Sequence, residues 1–335
     1  MELAKIRRRE LMDAFSGMFA WATENAVGTI IIAGDLFDKP SVAASIKREA
    51  LEIIGRFNGD VLYLKGNHDV KVEFPKTEFT IPKNLKMFSA KTKWQYINID
   101  NVCIAGVCAV TQAGDAFYEE LELAETTFNI AVMHGSKEIK FDRLRGRNID
   151  FLALGDIHIP DIKAKKLDNR GTYGYAGSLI GRGFDEIGER GFFVLDIENN
   201  VMKRNFVSHA KRKYQIVPVD ITDQNTHSAV EMKIRLALKD ISQDDIVRIV
   251  MTGKYIPESH KDVNALSDKF AEDFFWAHVV DESRLDRTNV VQASDEVSLV
   301  SRFMQMVAGA ELEDVQKDKV IELALKALTG EDVAI

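Results

Sequence analysis

Four apolar segments of this chain each run directly into a short cluster of potential metal-binding side chains, and this repetition limits the fold more than any other feature. Each segment has the length and the apolar character of a buried strand. Because the carboxyl ends of neighbouring strands in an α/β sheet meet at one edge, we expect the clusters to lie close together. In chain order they are Gly34-Asp35-Leu36-Phe37-Asp38, Gly66-Asn67-His68-Asp69, His134-Gly135 and Gly155-Asp156-Ile157-His158.

The residue types in these clusters indicate a metal site. Asp and Asn offer hard oxygen ligands and His offers an imidazole nitrogen, a mixture that suits Mn²⁺, Mg²⁺ or Fe better than structural zinc. Each cluster alone has a plainer interpretation, because Gly-Asp after a strand is a common turn and Asn-His-Asp is ordinary loop polarity. For Asp156, the alternative interpretation as a simple turn residue stays open. The four clusters together favour the metal site.

The order of predicted elements indicates an α/β chain with a boundary near Lys211. The first part alternates helices and strands. Predicted helices cover residues 3–25 and 42–57, predicted strands cover 29–33, 61–64, 102–107, 129–133 and 151–154, and hairpin-like strands follow between 171 and 207. Such an order favours a layered sheet or sandwich.

The second part begins as a compact α+β module. Its predicted elements are strand 215–219, helix 229–238, strand 246–251, helix 263–275 and strand 277–280. An extended link follows, and then two amphipathic helices over about 296–307 and 312–328. Their apolar faces indicate packing, either on the rest of this chain or on a partner.

Composition excludes several classes of protein. No stretch reaches the roughly 20 apolar residues that cross a bilayer, and the N-terminus lacks a signal-peptide core, so we expect a cytoplasmic protein with no membrane contact. The chain has two cysteines, Cys103 and Cys108, which we expect to be buried thiols. The net charge of −8 argues against coating nucleic acid by charge alone. Basic stretches such as 203–213 are either a solvated face or a local contact for DNA.

At this point the sequence resembles the calcineurin-like metallophosphoesterases, whose motifs GDxxD and GNHD are matched by residues 34–38 and 66–69, followed by His134 after an apolar strand. Within that superfamily the chain is similar to the SbcD-type exonucleases, because residues 175–191 resemble the segment that follows their last ligand motif. The resemblance implies a β-sandwich flanked by helices over residues 1–211, a smaller α+β capping domain over 212–287 and a C-terminal helical segment over 288–335.

The resemblance also implies roles for individual residues. Asp35 bridges two metal ions, with Mn²⁺ as the expected metal, and His158 is a ligand of the second ion. The other ligands of the first ion are Asn67, His134 and Asp156. His68 is not a ligand but a proton donor or charge stabiliser for the leaving oxygen, and Asp69 orients it. The basic residues expected to contact DNA are Arg182, Lys203, Arg204, Lys211 and Arg212.

Two features depart from the family pattern. The family's opening D-x-H strand is absent, because the chain begins with the helix that follows that strand, and two ligands of the second metal are missing with it. We expect a shortened start of the chain rather than a natural lesion. The other departure is Asp156, which stands where the family usually has His, and a carboxylate there should shift the preference toward the harder Mn²⁺ or Mg²⁺.

The function implied by the resemblance is a metal-dependent DNA exonuclease and endonuclease that works with an SbcC-type coiled-coil ATPase in DNA repair. The terminal helices are then the expected docking site for the ATPase, and a homodimer is expected. Two alternatives stay open. One is a phosphoesterase that acts on nucleotides or phosphoproteins, and the other is a catalytically impaired scaffold that binds DNA or a partner.

Overall fold

The computed structural model describes residues 2–88, 93–108, 114–224, 226–256, 261–286 and 299–329. The chain divides into two compact units. The first comprises residues 1–182 and 188–211, and the second comprises residues 183–187 and 212–335. Most of the predicted link before the terminal helices falls on residues 287–298, which lie outside the described residues. No described helix is long and apolar enough to span a bilayer.

The first unit contains eleven described strands and four described helices. The helices are α1 (Glu2–Glu24), α2 (Ala44–Gly55), α3 (Asp115–Glu119) and α4 (Phe141–Leu144). The strands are β1 (Thr29–Ala33), β2 (Asp60–Leu64), β3 (Leu85–Met87), β4 (Gln95–Ile99), β5 (Val102–Gly106), β6 (Phe128–His134), β7 (Phe151–Gly155), β8 (Lys165–Lys166), β9 (Thr172–Tyr175), β10 (Gly191–Glu198) and β11 (Val201–Ser208).

The strands of the first unit form two main sheets and a hairpin. One sheet has the order β1-β2-β3 with parallel pairing, and the other has the order β4-β5-β6-β7-β9-β8 with parallel pairing from β5 through β7 to β9. Strands β10 and β11 form the hairpin, which turns at Asn199 and Asn200 with φ of 51° and 60°. Asn tolerates this left-handed conformation, which suits a two-residue hairpin turn.

The alternation of side chains along β2 places this strand between two core clusters of the first unit. Leu62 and Leu64 on β2 face Ile130 and Val132 on β6 across the space between the two sheets. The opposite face of β2 carries Tyr63, which packs in the cluster that α1 and α2 supply. Since successive residues of a strand point to opposite faces, one strand serves two cores. The predicted α/β sandwich flanked by helices is confirmed.

The second unit is an α+β module followed by two helices. Its elements are β12 (Tyr214–Asp220), α5 (His227–Leu238), β13 (Ile246–Thr252), β14 (Lys254–Tyr255), α6 (Val263–Asp273), β15 (Trp276–Asp281), β16 (Arg284–Leu285), α7 (Leu299–Ala308) and α8 (Asp314–Thr329). Strands β12, β13 and β15 form a parallel sheet, and one face packs on α5 and α6. The terminal helices bury Met304, Val307 and Ile321 around Leu285.

Candidate metal centre

His134 is the most buried side chain of the candidate site. It ends β6 with only 3% of its surface exposed. Its Nδ1 lies 2.8 Å from the carbonyl oxygen of Ala33, which ends β1. A carbonyl oxygen only accepts, so Nδ1–H donates, and the other ring nitrogen, Nε2, faces the cluster. A backbone acceptor of this kind fixes the ring orientation of a metal-binding histidine.

Three oxygen-bearing side chains surround Nε2 of His134. It lies 2.8 Å from Oδ1 of Asn67, 3.3 Å from Oδ2 of Asp35 and 3.8 Å from Oδ1 of Asp156. The ligand atoms of Asp35, His134 and Asp156 all lie within 4.8 Å of one another. Ligands about 2.1 Å from a common divalent ion are separated by roughly 3 Å when adjacent. This donor set therefore fits a divalent cation.

The backbone of the ligand loops takes unusual conformations that bring these donors together. Asp35 has φ of 53° and Asp156 has φ of 103°, both in a region that non-glycine residues rarely adopt. Strain of this kind concentrates at functional sites. Gly155 permits the close approach of β7 to β1, since a Cβ there would lie 1.8 Å from the carbonyl oxygen of Ala33.

Asp35 and His134 stabilise each other's charged form. Burial alone would raise the pKa of Asp35, but hydrogen bonding and attraction from His134, together with the His68 amide, lower the pKa below its usual range. Burial would likewise lower the pKa of His134, but Asp35 and the Ala33 carbonyl outweigh burial and raise it.

His68 lies at the exposed side of the cluster. Its backbone N–H donates to Oδ1 of Asp35 over 3.0 Å, and its ring Nδ1 lies 3.0 Å from the carbonyl oxygen of Asp38. Nδ1–H is therefore the donor to Asp38. The backbone carbonyl of Asp38 therefore orients the ring of His68.

Asp69 acts elsewhere than the resemblance implies. Its side chain is completely buried and accepts hydrogen bonds from the amides of Gly66 and Phe37 and from the hydroxyl of Tyr63. The expectation that Asp69 orients the ring of His68 is therefore corrected. Its carboxylate instead ties the Gly66–Asp69 loop to the loop that carries Asp35.

His158 is placed beside Arg182 rather than in the closest group of donors. Arg182 Nη2 lies 2.9 Å from Nδ1 and 3.2 Å from Nε2 of His158, and Arg182 Nη1 donates to Oδ1 of Asp38 over 2.7 Å. Among the described residues, the group of ligand atoms within 4.8 Å contains Asp35, His134 and Asp156. Arg182, expected to contact DNA, is therefore part of the site itself.

The other basic residues expected to contact DNA differ in exposure. Lys203 and Lys211 are exposed. Arg204 is half-buried: it donates to the carbonyl oxygens of Asp161 and Ile162, and its guanidinium lies 4.0 Å from the centre of the Phe193 ring. Arg212 is only 4% exposed. It donates to the carbonyl of Asp244, and its guanidinium lies 3.4 Å from the centre of the Phe275 ring. Both arginines are thus occupied by the protein's own backbone and rings.

Sequence reasoning missed two residues that support the site. In the sequence, Tyr63 is part of an apolar run that predicts a buried strand. Its hydroxyl is the one signal of a further role, because a buried hydroxyl needs a hydrogen-bond partner. Asp38 belongs to the GDxxD motif, but its link to Arg182 spans 144 residues and leaves no local pattern.

Two sheets flanked by helices, with oxygen and imidazole ligands at the strand ends, are consistent with a metallophosphoesterase fold. Residues 7–160 match the calcineurin-like phosphoesterase family, and the described sheets and helices of that region are consistent with its fold. The chain is also similar to a protein described as an uncharacterized metallophosphoesterase, YhaO of Bacillus subtilis strain 168. The two are 21% identical over 315 residues, which cover 84% of this chain and 74% of the relative. These similarities support metal-dependent hydrolysis of phosphoesters.

Proposed function

We propose that this chain is a metal-dependent phosphodiesterase that cleaves DNA. The observation that carries the proposal is the cluster of Asp35, Asn67, His134 and Asp156, with His68 at its exposed side. A divalent ion bound there would lower the pKa of a water and neutralise charge on the phosphate. Mn²⁺ is the proposed ion, because two carboxylates and an amide oxygen favour a hard cation and one imidazole is tolerated.

The side chains around the cluster differ in exposure, and this difference suggests where a phosphate can approach. His134 is almost completely buried, whereas 18% of the Asp35 side chain and 27% of the Asp156 side chain are exposed. The site therefore opens to solvent on its carboxylate side, where a phosphate can approach. His68 is exposed, and because its Nδ1 is held by the Asp38 carbonyl, Nε2 is the ring nitrogen proposed to donate a proton to the leaving oxygen.

DNA is proposed as the substrate on the resemblance of residues 175–191 to the SbcD-type exonucleases and on the α+β module that follows the phosphoesterase domain. Nucleotides and phosphoproteins are the competing substrates, since they would use the same metal site. A catalytically impaired scaffold would bind DNA without cleaving it.

The proposal is tested by incubating the purified chain with Mn²⁺ or Mg²⁺ and three substrates: end-labelled linear DNA, a nucleoside monophosphate and bis(p-nitrophenyl) phosphate. We expect Mn²⁺-dependent cleavage of DNA and of the diester, and loss of both activities in Asp35→Asn. Hydrolysis of the monophosphate without DNA cleavage would support the nucleotide alternative. Tight DNA binding without any hydrolysis would support the scaffold.

We also propose an SbcC-type coiled-coil ATPase as partner, docked on the terminal helices. In the second unit these helices bury Met304 and Val307, while Met306 is 74% exposed and Val320 is 37% exposed. The exposed residues are the ones available to a partner. The double variant Met306→Glu/Val320→Glu should weaken binding to the purified ATPase without changing hydrolysis of bis(p-nitrophenyl) phosphate. Unchanged binding would place the ATPase elsewhere.

A further inference from the structure

The loop that follows β7 exposes three isoleucines beside the candidate metal centre. Ile157 is 40% exposed, Ile159 is 51% exposed and Ile162 is 56% exposed. Ile157 directly follows Asp156, whose carboxylate belongs to the group of candidate ligands. Ile159 is three residues from Asp156, which limits their separation to roughly 11 Å. Apolar side chains are thus presented to solvent within reach of a phosphoester at the metal ligands.

Hydrogen bonds within the first unit hold this loop in place. The carbonyl oxygen of His158 accepts from the amide of Ser178 over 2.9 Å, and Arg204 on β11 donates to the carbonyl oxygen of Ile162 over 2.9 Å. A Cβ on Gly177 would lie 2.8 Å from the carbonyl oxygen of His158, so the two segments are in close contact. The exposed isoleucines therefore lie on a backbone that is fixed on both sides.

The loop is basic directly after the isoleucines. Lys163, Lys165 and Lys166 are exposed, and Lys165 pairs with Asp161 over 2.8 Å. Apolar side chains stack on nucleobases that are removed from a duplex, and lysines attract phosphates. A group of three isoleucines within six residues suits the ring of a base better than the wide surface of a membrane. The loop therefore has the chemistry to hold a nucleoside beside a phosphate.

We propose that Ile157, Ile159 and Ile162 form a subsite for the nucleoside attached to the phosphate that the metal centre hydrolyses. This inference rests on the proposed phosphoesterase chemistry and gives its substrate class as nucleotide esters. The isoleucines determine specificity and take no part in breaking the bond. They remove the faces of a base from water, so the subsite accepts the different bases alike.

The test uses two chromogenic diesters with the same p-nitrophenyl leaving group. The second ester group is a nucleoside in thymidine 5′-(p-nitrophenyl phosphate) and a methyl group in methyl p-nitrophenyl phosphate. The ratio of their kcat/KM values measures the contribution of the nucleoside at any level of activity. A binding ratio comes from calorimetry on Mn²⁺-loaded protein, as the Kd of inorganic phosphate divided by the Kd of thymidine 5′-monophosphate.

Four variants are compared with wild type. Ile159→Ser/Ile162→Ser removes most of the exposed apolar surface and keeps Ile157, which adjoins the ligand Asp156. Ile162→Ser alone is a milder change six residues from Asp156, and Ile159→Leu/Ile162→Leu is the conservative variant. Val201→Ser is the matched control, because Val201 is an apolar residue on β11 of the same unit and is 64% exposed. Thermal unfolding and elemental analysis show that each protein is folded and loaded with Mn²⁺.

We expect both ratios to exceed about ten in wild type, because contact with a nucleobase contributes roughly a factor of ten or more. Both ratios should fall about tenfold in the double serine variant, with the kinetic loss mainly in KM. Ile162→Ser should show a smaller fall. The leucine variant and Val201→Ser should keep the ratios of wild type.

Two results would overturn the proposal. One is that both ratios in the double serine variant equal those of wild type. The other is that this variant loses only sedimentation with phosphatidylglycerol vesicles, which would assign the isoleucines to a lipid surface. Failure of the phosphoesterase proposal looks different, because neither ester would be hydrolysed. The binding ratio would then still decide whether the isoleucines hold a nucleoside.

Discussion

The hydroxyl of Tyr63 donates a hydrogen bond to the carboxylate of Asp69, and both side chains are completely buried in the first unit. Burial and the neighbouring carboxylate raise the pKa of Tyr63. Burial also raises the pKa of Asp69, against the opposing effect of its hydrogen bonds. Since Asp69 also accepts from the amides of Gly66 and Phe37, the tyrosine anchors a carboxylate that fixes two metal-ligand loops.

Tyr63→Phe should weaken Mn²⁺ binding and lower the melting temperature. The substitution leaves a buried carboxylate short of one donor, which costs about 1–3 kcal/mol. Tyr118→Phe is the matched control, because Tyr118 is equally buried but its hydroxyl bonds to the backbone of Lys140 and Glu138. Calorimetric titration of Mn²⁺ measures both variants. Equal Mn²⁺ affinity in the two would show that the Tyr63 bond serves general stability and not the metal loops.

His68→Ala should lower kcat on bis(p-nitrophenyl) phosphate by a factor of about 10² to 10⁴, the range for loss of a general acid. Metal content should stay at the wild-type level, because the contacts of His68 to the cluster run through its backbone N–H and not its ring. Elemental analysis beside steady-state kinetics separates the two effects. Loss of the metal would mean that the His68 ring is itself a ligand.

Gly66→Ala should impair metal binding directly. A Cβ at Gly66 would lie 2.1 Å from Oδ1 of Asp35 and 2.6 Å from Cε1 of His134, so a ligand must move. Overpacking of this kind costs roughly 1–3 kcal/mol. Gly28→Ala is the control, since a Cβ at Gly28 meets no atom within 4 Å. Mn²⁺ affinity should fall in the first variant alone, and a full retention of affinity in Gly66→Ala would mean that the loop rearranges without affecting the ligands.

Mn²⁺ should stabilise the protein more at pH 8 than at pH 6. In the metal-free protein the pKa of His134 is raised above its ordinary 6.5, so the stability that protonated His134 contributes is complete below that value and is lost as the pH rises through the raised pKa. The pKa of Asp35 is lowered from 3.8, so its contribution is present above that value and is lost only in stronger acid. Protons and metal therefore compete at His134 at pH values below its raised pKa.

The competition is measured as the gain in melting temperature on adding Mn²⁺ at pH 6, 7 and 8. Because binding displaces one proton from His134, affinity should fall by about tenfold per pH unit below its raised pKa. Proton release in buffers of different ionisation enthalpy provides an independent check. The same thermal gain at all three pH values would contradict the arrangement of His134 and Asp35 described above.

Arg212→Ala should destabilise the second unit rather than weaken DNA binding by charge alone. Arg212 is buried, donates to the carbonyl of Asp244 and lies over the ring of Phe275, so its removal should lower the melting temperature by several degrees. Lys211→Ala is an adjacent, exposed control that should leave stability unchanged. Thermal unfolding is measured together with the salt dependence of DNA binding. Unaltered stability in Arg212→Ala would show that the burial of its guanidinium contributes nothing to the fold.

The strand positions of the first unit were predictable from sequence because each strand has a clear apolar pattern. The predicted strand at residues 29–33 coincides with β1, and those at 61–64 and 151–154 differ from β2 and β7 by one residue at one end. Local chemistry explains this agreement. A run of apolar residues followed by glycine and polar residues marks both the strand and its end.

The sequence by itself determined that Asp35, Asn67, His134 and Asp156 follow the ends of strands, because residue type and periodicity are local properties of the chain. Only the tertiary structure decided the partners of each side chain. Asp69 bonds to Tyr63, His158 lies against Arg182, and Arg212 is buried over a ring. Contacts between distant side chains depend on how sheets and loops pack in three dimensions, and a short-range sequence pattern carries no information about that packing.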